Sequence, residues 1–412
     1  MSNTIKTLTA GDILRKSLSI LHNNLVFCKT INRQYDDRFA RSGAKNGGEL
    51  IIRDPNQFTI RTGQVMDTQD VTETTQTITL ATQKGVDINF SSVELTLSLD
   101  DFAERILKPA VTRLAAEVDK TAIAACYPYV SKYENTTAGT VPNSTDILKA
   151  RAMLQQGLAP TSDRVLMCGS LETIGIITSS ATYLNPAAEI SRQYEQGLIG
   201  QIYGFKFYES EMVPTHTAGT RTQTTPLCAT TATATSIENA TAYITMTGAA
   251  DTTFTAGDVF TIEGVYDVNP ETKTTCSWLK QWSVTALTTV SAAAIDVPVS
   301  PTPYRSGAKQ NCVIVTGTVG AVIYCSATVA STGAAGSASV NSLAYHKDAF
   351  TLVSADLEMP QGVDFAAREV FDGISMRIVR QYDIVNDKFP CRIDVLFGQK
   401  TMRPGWAVRI AS

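Results

Sequence analysis

The spacing of apolar residues changes period several times along the chain. Behind "TAGD", Ile13, Leu14, Leu18, Leu21 and Leu25 fall on one stripe, which predicts an amphipathic helix over residues 9–25. Between about 41 and 98 the period drops to two. Ile78 and Leu80, then Val86, Ile88 and Phe90, alternate with polar neighbours around Lys84-Gly85, which predicts hairpin strands turning there. This region is rich in Thr, Gln, Asn and charge, with too few large side chains to build its own core, and isolated hairpins are marginal in water. Its strands therefore lie either on this chain's own helices or, as an arm, on a neighbour.

The clearest helical pattern follows. Ser98 offers a cap with Asp101 three residues on, and Phe102, Ile106, Ala110, Leu114 and Val118 recur at four-residue steps, with Glu104 and Lys108 as an i,i+4 pair. Pro109 inside this helix removes one backbone hydrogen bond and is expected to kink it. Residues 131–199 read as α/β, with a helix over "STDILKARAMLQQGL", a strand over "DRVLMCG" and a helix capped by Asn185 with Pro186 at its first position. The next stretch is "GQIYGFKFYESEMVP". Gly197 or Gly200 suits a left-handed helix end there, and Gly204 lets a strand from Phe205 to Tyr208 pass close to other backbone. From about 216 to 340 the composition shifts to Thr, Ala, Ser and Gly with short strands such as "AYITM", "DVFTI", "QWSVTAL", "NCVIVTG" and "AVIYC", which predicts a small β barrel or sandwich. "SMRIVRQYDI" and "RIDVLFGQ" then alternate strictly, as long strands rejoining the main body.

With 412 residues, 43% of them hydrophobic, the chain has room for more than one core. Its 35 basic and 39 acidic residues leave a net charge of -4, so no basic field marks a nucleic-acid or membrane surface. No apolar run reaches membrane-spanning length and no secretory leader is apparent, so a cytosolic origin is expected. The eight cysteines are scattered without C-x-x-C spacing and read as buried free thiols. Chemistry is scarce. His22, His216 and His346 lie far apart and suit surface or hydrogen-bonding roles. Ser306 and Lys309 stand at S-x-x-K spacing without the companion motifs of an acyl transferase, so they read as turn sequence. Asp267, Asn269 and Glu271 alternate as in a calcium loop, yet Thr272 and Trp278 stand where its glycine and closing glutamate belong. No catalytic, cofactor-binding or metal residues are assigned.

Segments in a fixed order carry a resemblance. "GQIYGFKFYESEMVP", with Gly200, Gly204, Val213 and Pro214 as its signature, resembles a glycine-strand-Val-Pro segment of tailed-bacteriophage major capsid proteins. "QKGVDINFSSVELTLSLDDFAERILKPAVTRLAAEVD", "TFTAGDVFTIEGVYDVNPETK", "LAYHKDAFTLVSADLEMP" and "MRIVRQYDIVNDKFPCRIDVLFGQKTMRP" are similar to parts of the P22-type coat proteins. The resemblance implies an α+β chain with the Hong Kong 97 capsid fold and an inserted all-β, barrel-like domain. Carried onto this chain, it implies an N-terminal arm at 1–35, an E-loop region at 36–97 and the P-domain spine helix at 98–130. The first part of the A domain is 131–215, the inserted β domain 216–340, and the return through the A and P domains 341–412.

The function so implied is that of a structural, non-enzymatic coat subunit, assembling as hexamers and pentamers into an icosahedral virion capsid. The expected partners are a scaffolding protein, a portal and packaged double-stranded DNA contacted non-specifically, with no membrane, and assembly is expected in the host bacterial cytoplasm. An encapsulin-like nanocompartment shell is the alternative in the same fold. A serine acyl hydrolase using Ser306 and Lys309, or a β-rich adhesin, are the alternatives of other classes. The N-terminal helix and the region from Arg33 to Arg53 are expected to be assembly contacts. Lys45 and Lys84 carry no motif for a lysine–asparagine crosslink of the kind some family members form, and none is expected.

Overall fold

The computed structural model describes residues 19–21, 25–36, 49–66, 68–70, 73–91, 108–135, 141–180, 201–219, 227–232, 237–247, 252–290, 294–315, 321–324, 338–371 and 373–412. The chain divides into two compact units, residues 1–54, 75–122 and 350–400, and residues 55–74, 123–349 and 401–412.

In the first unit the strands Asn32–Asp36, Phe350–Ala355, Lys388–Thr401, Ile374–Arg380 and Phe365–Phe371 lie side by side in that order, and Thr82–Ser91 also pairs with Lys388–Thr401. The two strictly alternating segments near the end of the sequence are antiparallel neighbours here, with Met376 opposite Val395 and Ile378 opposite Ile393, all four buried. The helix Lys108–Cys126 buries Val111, Leu114, Ala115 and Val118 on one stripe, as its four-residue spacing predicts. Pro109 lies in the described helix. The upstream half of the expected helix, and with it the expected kink, lies outside the described residues.

Lys84 and Gly85 do not form a turn. Thr82–Ser91 runs straight through them, antiparallel to Lys388–Thr401, with Gly85 opposite Asp394. A Cβ at Gly85 would lie 2.7 Å from the Ile393 carbonyl oxygen, so the glycine serves a close strand approach. The hairpin partner of Thr75–Thr79 is instead Glu49–Arg53, paired antiparallel from Glu49 opposite Thr79 to Arg53 opposite Thr75.

In the second unit a mixed sheet runs in the order Lys132–Asn135, Ala407–Ala411, Ala338–His346, Arg164–Cys168, Phe205–Glu209 and Gln201–Ile202. Ala407–Ala411 is parallel to Lys132–Asn135 and antiparallel to Ala338–His346. The helix Ser144–Gln156 begins in a capping box, Asn143 accepting from Thr145 and Asp146 while Asp146 accepts from Asn143 N–H. Its Ile147, Ala150 and Leu154 join Leu166, Cys168, Phe205, Ala344, Val408 and Ile410 in one core. A further helix, Ser170–Ser180, carries no clear signal in the sequence pattern. The helix expected behind Asn185 and Pro186 lies outside the described residues.

The Thr-rich stretch contributes a seven-stranded sheet with its own core, in which Phe254, Phe260, Ile262, Val265, Trp282, Val284, Val297 and Val299 are buried together. The central strands Val259–Val268 and Thr275–Val284 pair antiparallel across a turn in which Asn269 Oδ1 accepts from the amides of Glu271 and Thr272. At the foot of this domain Thr215–Thr217 pairs with Ala338–Val340, Thr217 facing Ala338.

Candidate assembly surfaces and a buried polar seam

Among its described residues, the connection between Arg53 and Thr75 has no regular structure, yet it is braced internally. Thr59 N–H donates to Gln69 Oε1 (2.9 Å) and Gln69 Nε2 returns a bond to the Thr59 carbonyl (2.7 Å). Arg61 Nη1 reaches the carbonyls of Gly63 and Val65, and Gly63 holds a φ of +105° that only glycine adopts without strain. On this brace Phe58, Ile60, Val65 and Met66 stand in solvent, Ile60 being 94% and Val65 85% exposed. Four large apolar side chains within nine residues are a surface built to be covered. A second such point is the turn between Ile374–Arg380 and Lys388–Thr401, where Ile384 and Val385 are 82% and 86% exposed. That turn is fixed by Asp383, which accepts from Val385 N–H (3.0 Å) and Asn386 Nδ2 (2.7 Å).

Inside the second unit, polar groups are buried where the inserted sheet meets the mixed sheet. His216 Nε2 lies 2.8 Å from Asp258 Oδ1, with both side chains almost wholly buried, and the other Asp258 oxygen accepts from Thr255 N–H (2.8 Å) and Gly219 N–H (3.2 Å). Tyr127 OH lies 3.4 Å from His216 Nδ1. Arg409, fully buried, donates from Nη1 to the Gly257 carbonyl (2.6 Å) and from Nη2 to Ser283 Oγ (3.2 Å), with its guanidinium over the rings of Tyr127 and Tyr133. Burial pushes the Arg409 guanidinium down to about 10, against the pull of Tyr133, Tyr127 and Asp258. Gly257 has a φ of +100°, and a Cβ there would sit 3.1 Å from both His216 and Tyr127. Ser283 and Ser300 donate to the carbonyls of Pro128 and Tyr129, and Gln281 exchanges two bonds with the Tyr133 backbone (3.0 and 2.9 Å). These bonds tie the parts together; none of them exposes a nucleophile or an open ligand position.

A family model described as P22 coat protein, gene protein 5, matches residues 6–409. The chain belongs to the P22 coat protein family. As a coat protein of this family it has the Hong Kong 97 capsid fold in an α+β chain, it is a major capsid protein of a tailed phage, and its copies assemble into the shell of the virion. Among solved structures it is similar to one from Mycobacterium phage Che8 (13% identity, 94% of this chain and 90% of that chain covered, TM-score 0.45). It is also similar to the capsid of Cyanophage P-SCSP1u (9%, 94% and 87%, TM-score 0.46) and to the mature capsid of bacteriophage PhiM1 (12%, 94% and 86%, TM-score 0.45). No curated protein matches the chain.

In this coat protein the segment singled out in the sequence has a local geometric task. Tyr203 and Gly204 both have positive φ, 51° and 85°, and Ile202 pairs with Phe205, so the two residues form the tight turn of a short hairpin. A Cβ at Gly204 would meet only Arg151, at 3.8 Å, so the glycine is there for the turn and not for the close backbone approach the sequence suggested. Val213 and Pro214 lead into Thr215–Thr217, and the Pro214 carbonyl accepts from Asn341 N–H (2.9 Å). Gly200 lies outside the described residues. Lys309 donates to Thr74 Oγ1 (3.2 Å) and lies over the Tyr304 ring, while Ser306 is exposed. The structure therefore gives the S-x-x-K pair no shared task. Among the described residues no three His, Cys, Asp or Glu side chains cluster to hold a metal. Sequence reading missed the seam, because its members are scattered from positions 127 to 409 with no spacing that links them.

Proposed function

We propose that this coat protein works by tiling alone, with no covalent or catalytic step, its copies forming hexamers and pentamers whose contacts include the braced connection 54–74. The observation that carries this reading is the exposure of Phe58, Ile60, Val65 and Met66 on a connection held in shape by its own hydrogen bonds. Stable protein contacts bury about 800 Å² per partner, and an apolar element pre-shaped in the free chain loses less conformational entropy on docking. On this reading residues 1–35 are the arm, 36–97 the E-loop region, 98–130 the spine region and 216–340 the inserted domain. The N-terminal helix and Arg33 to Arg53 add further contacts, and the segment with Gly200, Gly204, Val213 and Pro214 is a structural signature of the A domain. Pro109 is the kink of the spine helix.

A scaffolding protein and a portal set the curvature and the unique vertex, and the double-stranded DNA inside is contacted non-specifically, which a net charge of -4 permits when local Arg and Lys face it. Assembly takes place in the host bacterial cytoplasm. The test is negative-stain electron microscopy of the expressed chain, with and without a co-expressed scaffolding protein, beside the double variant Ile60→Asp, Val65→Asp. Closed shells or spiral sheets from the natural chain, and a folded soluble subunit from the variant, are expected. Shells of normal yield from the variant would overturn the role given to this connection.

A further inference from the structure

Two hydrophobic cores of the second unit, one in the inserted sheet and one in the mixed sheet, are joined by a small apolar contact of Tyr133, Val259 and Ala411. Most of what joins them is polar and buried. Each side of the seam is incomplete alone. Without the inserted sheet, Arg409 loses the Gly257 carbonyl and Ser283 Oγ that accept from it, and the carbonyls of Pro128 and Tyr129 lose the hydroxyls that donate to them. Without the strand Ala407–Ala411, the Gly257 carbonyl and Ser283 Oγ lose the guanidinium. A buried charge stripped of its partner is far costlier than the intact arrangement is stabilising, and partly satisfied networks are worse than none.

We propose that Arg409 is the key of a latch: the inserted domain docks only once Ala407–Ala411 is seated between Lys132–Asn135 and Ala338–His346, and from then on inserted domain and mixed sheet turn as one body. The inserted domain then has no independent swing about its foot at Thr215–Thr217, even though that foot is a single strand pair. The same geometry assigns Gln281 a second task. Its side-chain amide accepts from the Tyr133 N–H and donates to the Tyr133 carbonyl, as a neighbouring strand would on the outer edge of Lys132–Asn135.

The experiment is native-state hydrogen exchange on the full-length chain and on Arg409→Met and Arg409→Lys, read at three sets of amides. These are the seam (Val130, Tyr133, Gly257), the inserted core (Phe260, Ile262) and the mixed sheet (Leu166, Ala344). Arg409→Met is expected to speed exchange at the seam at least tenfold more than in either core, with Arg409→Lys intermediate because one donor remains. Unchanged seam protection in Arg409→Met overturns the latch, and so does a loss spread equally over all three sets, which marks a general fold lesion. If Arg409→Met yields no folded chain, Gln281→Ala decides. Seam amides that open ahead of both cores support the latch, and seam amides that stay with the cores overturn it.

Discussion

A lysine amine withdrawn from water is an uncomfortable charge, and Lys132 is one. Its Nζ donates to the Met153 carbonyl, and burial lowers it to about 7 from its ordinary 10.5, with Lys280 adding to the fall and Asp267 opposing it. The folded state therefore binds fewer protons than the unfolded chain between about pH 7 and pH 10.5. Stability from this group is lowest below pH 7 and is regained as pH rises toward the unfolded value, with a slope of at most about 1.4 kcal/mol per pH unit. The stability of the natural chain relative to Lys132→Met, taken from urea midpoints, should rise from pH 7 to pH 10; a relative stability constant over that range would contradict the assignment. Five buried thiols, Cys28, Cys126, Cys168, Cys312 and Cys391, match the free-cysteine reading of the sequence. Burial pushes Cys126 and Cys168 up to about 12, which keeps them unreactive. Glycines were harder to read. Gly85 and Gly204 each suggested the task that the other performs, because a glycine in a sequence announces a special backbone without saying whether it turns or lets a neighbour near.

Among the elements, the helix Lys108–Cys126 does more than bury a stripe. Asp119 on it accepts three backbone bonds, from Val26 (2.6 Å), Phe27 (3.2 Å) and Cys28 (2.9 Å), and so caps the helical turn Phe27–Thr30 some ninety residues earlier in the chain. Burial pushes the Asp119 carboxyl up, while the three N–H groups favour its ionised form. Replacing Asp119 by Ala leaves buried donors unpaired, each costing about 1–3 kcal/mol. Asp119→Ala should therefore lower the urea midpoint clearly and expose the amides of residues 26–28 to rapid exchange, with Asp119→Asn milder because its amide oxygen still accepts. Protection of those amides in Asp119→Ala equal to that of the natural chain would show that the turn is held by other means, such as the Phe27–Phe350 ring contact at 5.5 Å. Elements with a cap or strict alternation were legible: the capping box at Asn143, the strand Arg164–Cys168, the paired strands Ile374–Arg380 and Lys388–Thr401. Ser170–Ser180 was not, since its apolar residues go all round, Ile176 inward and Leu171 and Ile174 outward, so no single stripe stands out. The pairing of Thr75–Thr79 with Glu49–Arg53 was also hidden, because polar strands carry little information about which partner they take.

For the molecule as a whole, the order of segments along the sequence was more informative than any motif, and the coat protein family model matches residues 6–409. The shift to a Thr-rich composition alone gave warning of a separate sheet, although that sheet's pairing and the seam beneath it did not show, being made mostly of contacts between residues far apart in sequence, such as Ser300 with Tyr129, 171 residues apart. Lys84 is engaged by Glu117 at 3.0 Å, a further reason to expect no covalent lysine link between subunits. Shells boiled in SDS should run as one band at the monomer mass, and a ladder would refute that. Thr217 and Ala338 face each other across one antiparallel pair, so the two ends of the intervening stretch lie a strand spacing apart. Seen from the side of protein grafting, this is a docking port: any foreign domain whose two ends lie about 5 Å apart fits the opening. Arg409 sets the condition, because a graft that ignores it strands a guanidinium in the dark, and so insert and arginine must be exchanged as a pair.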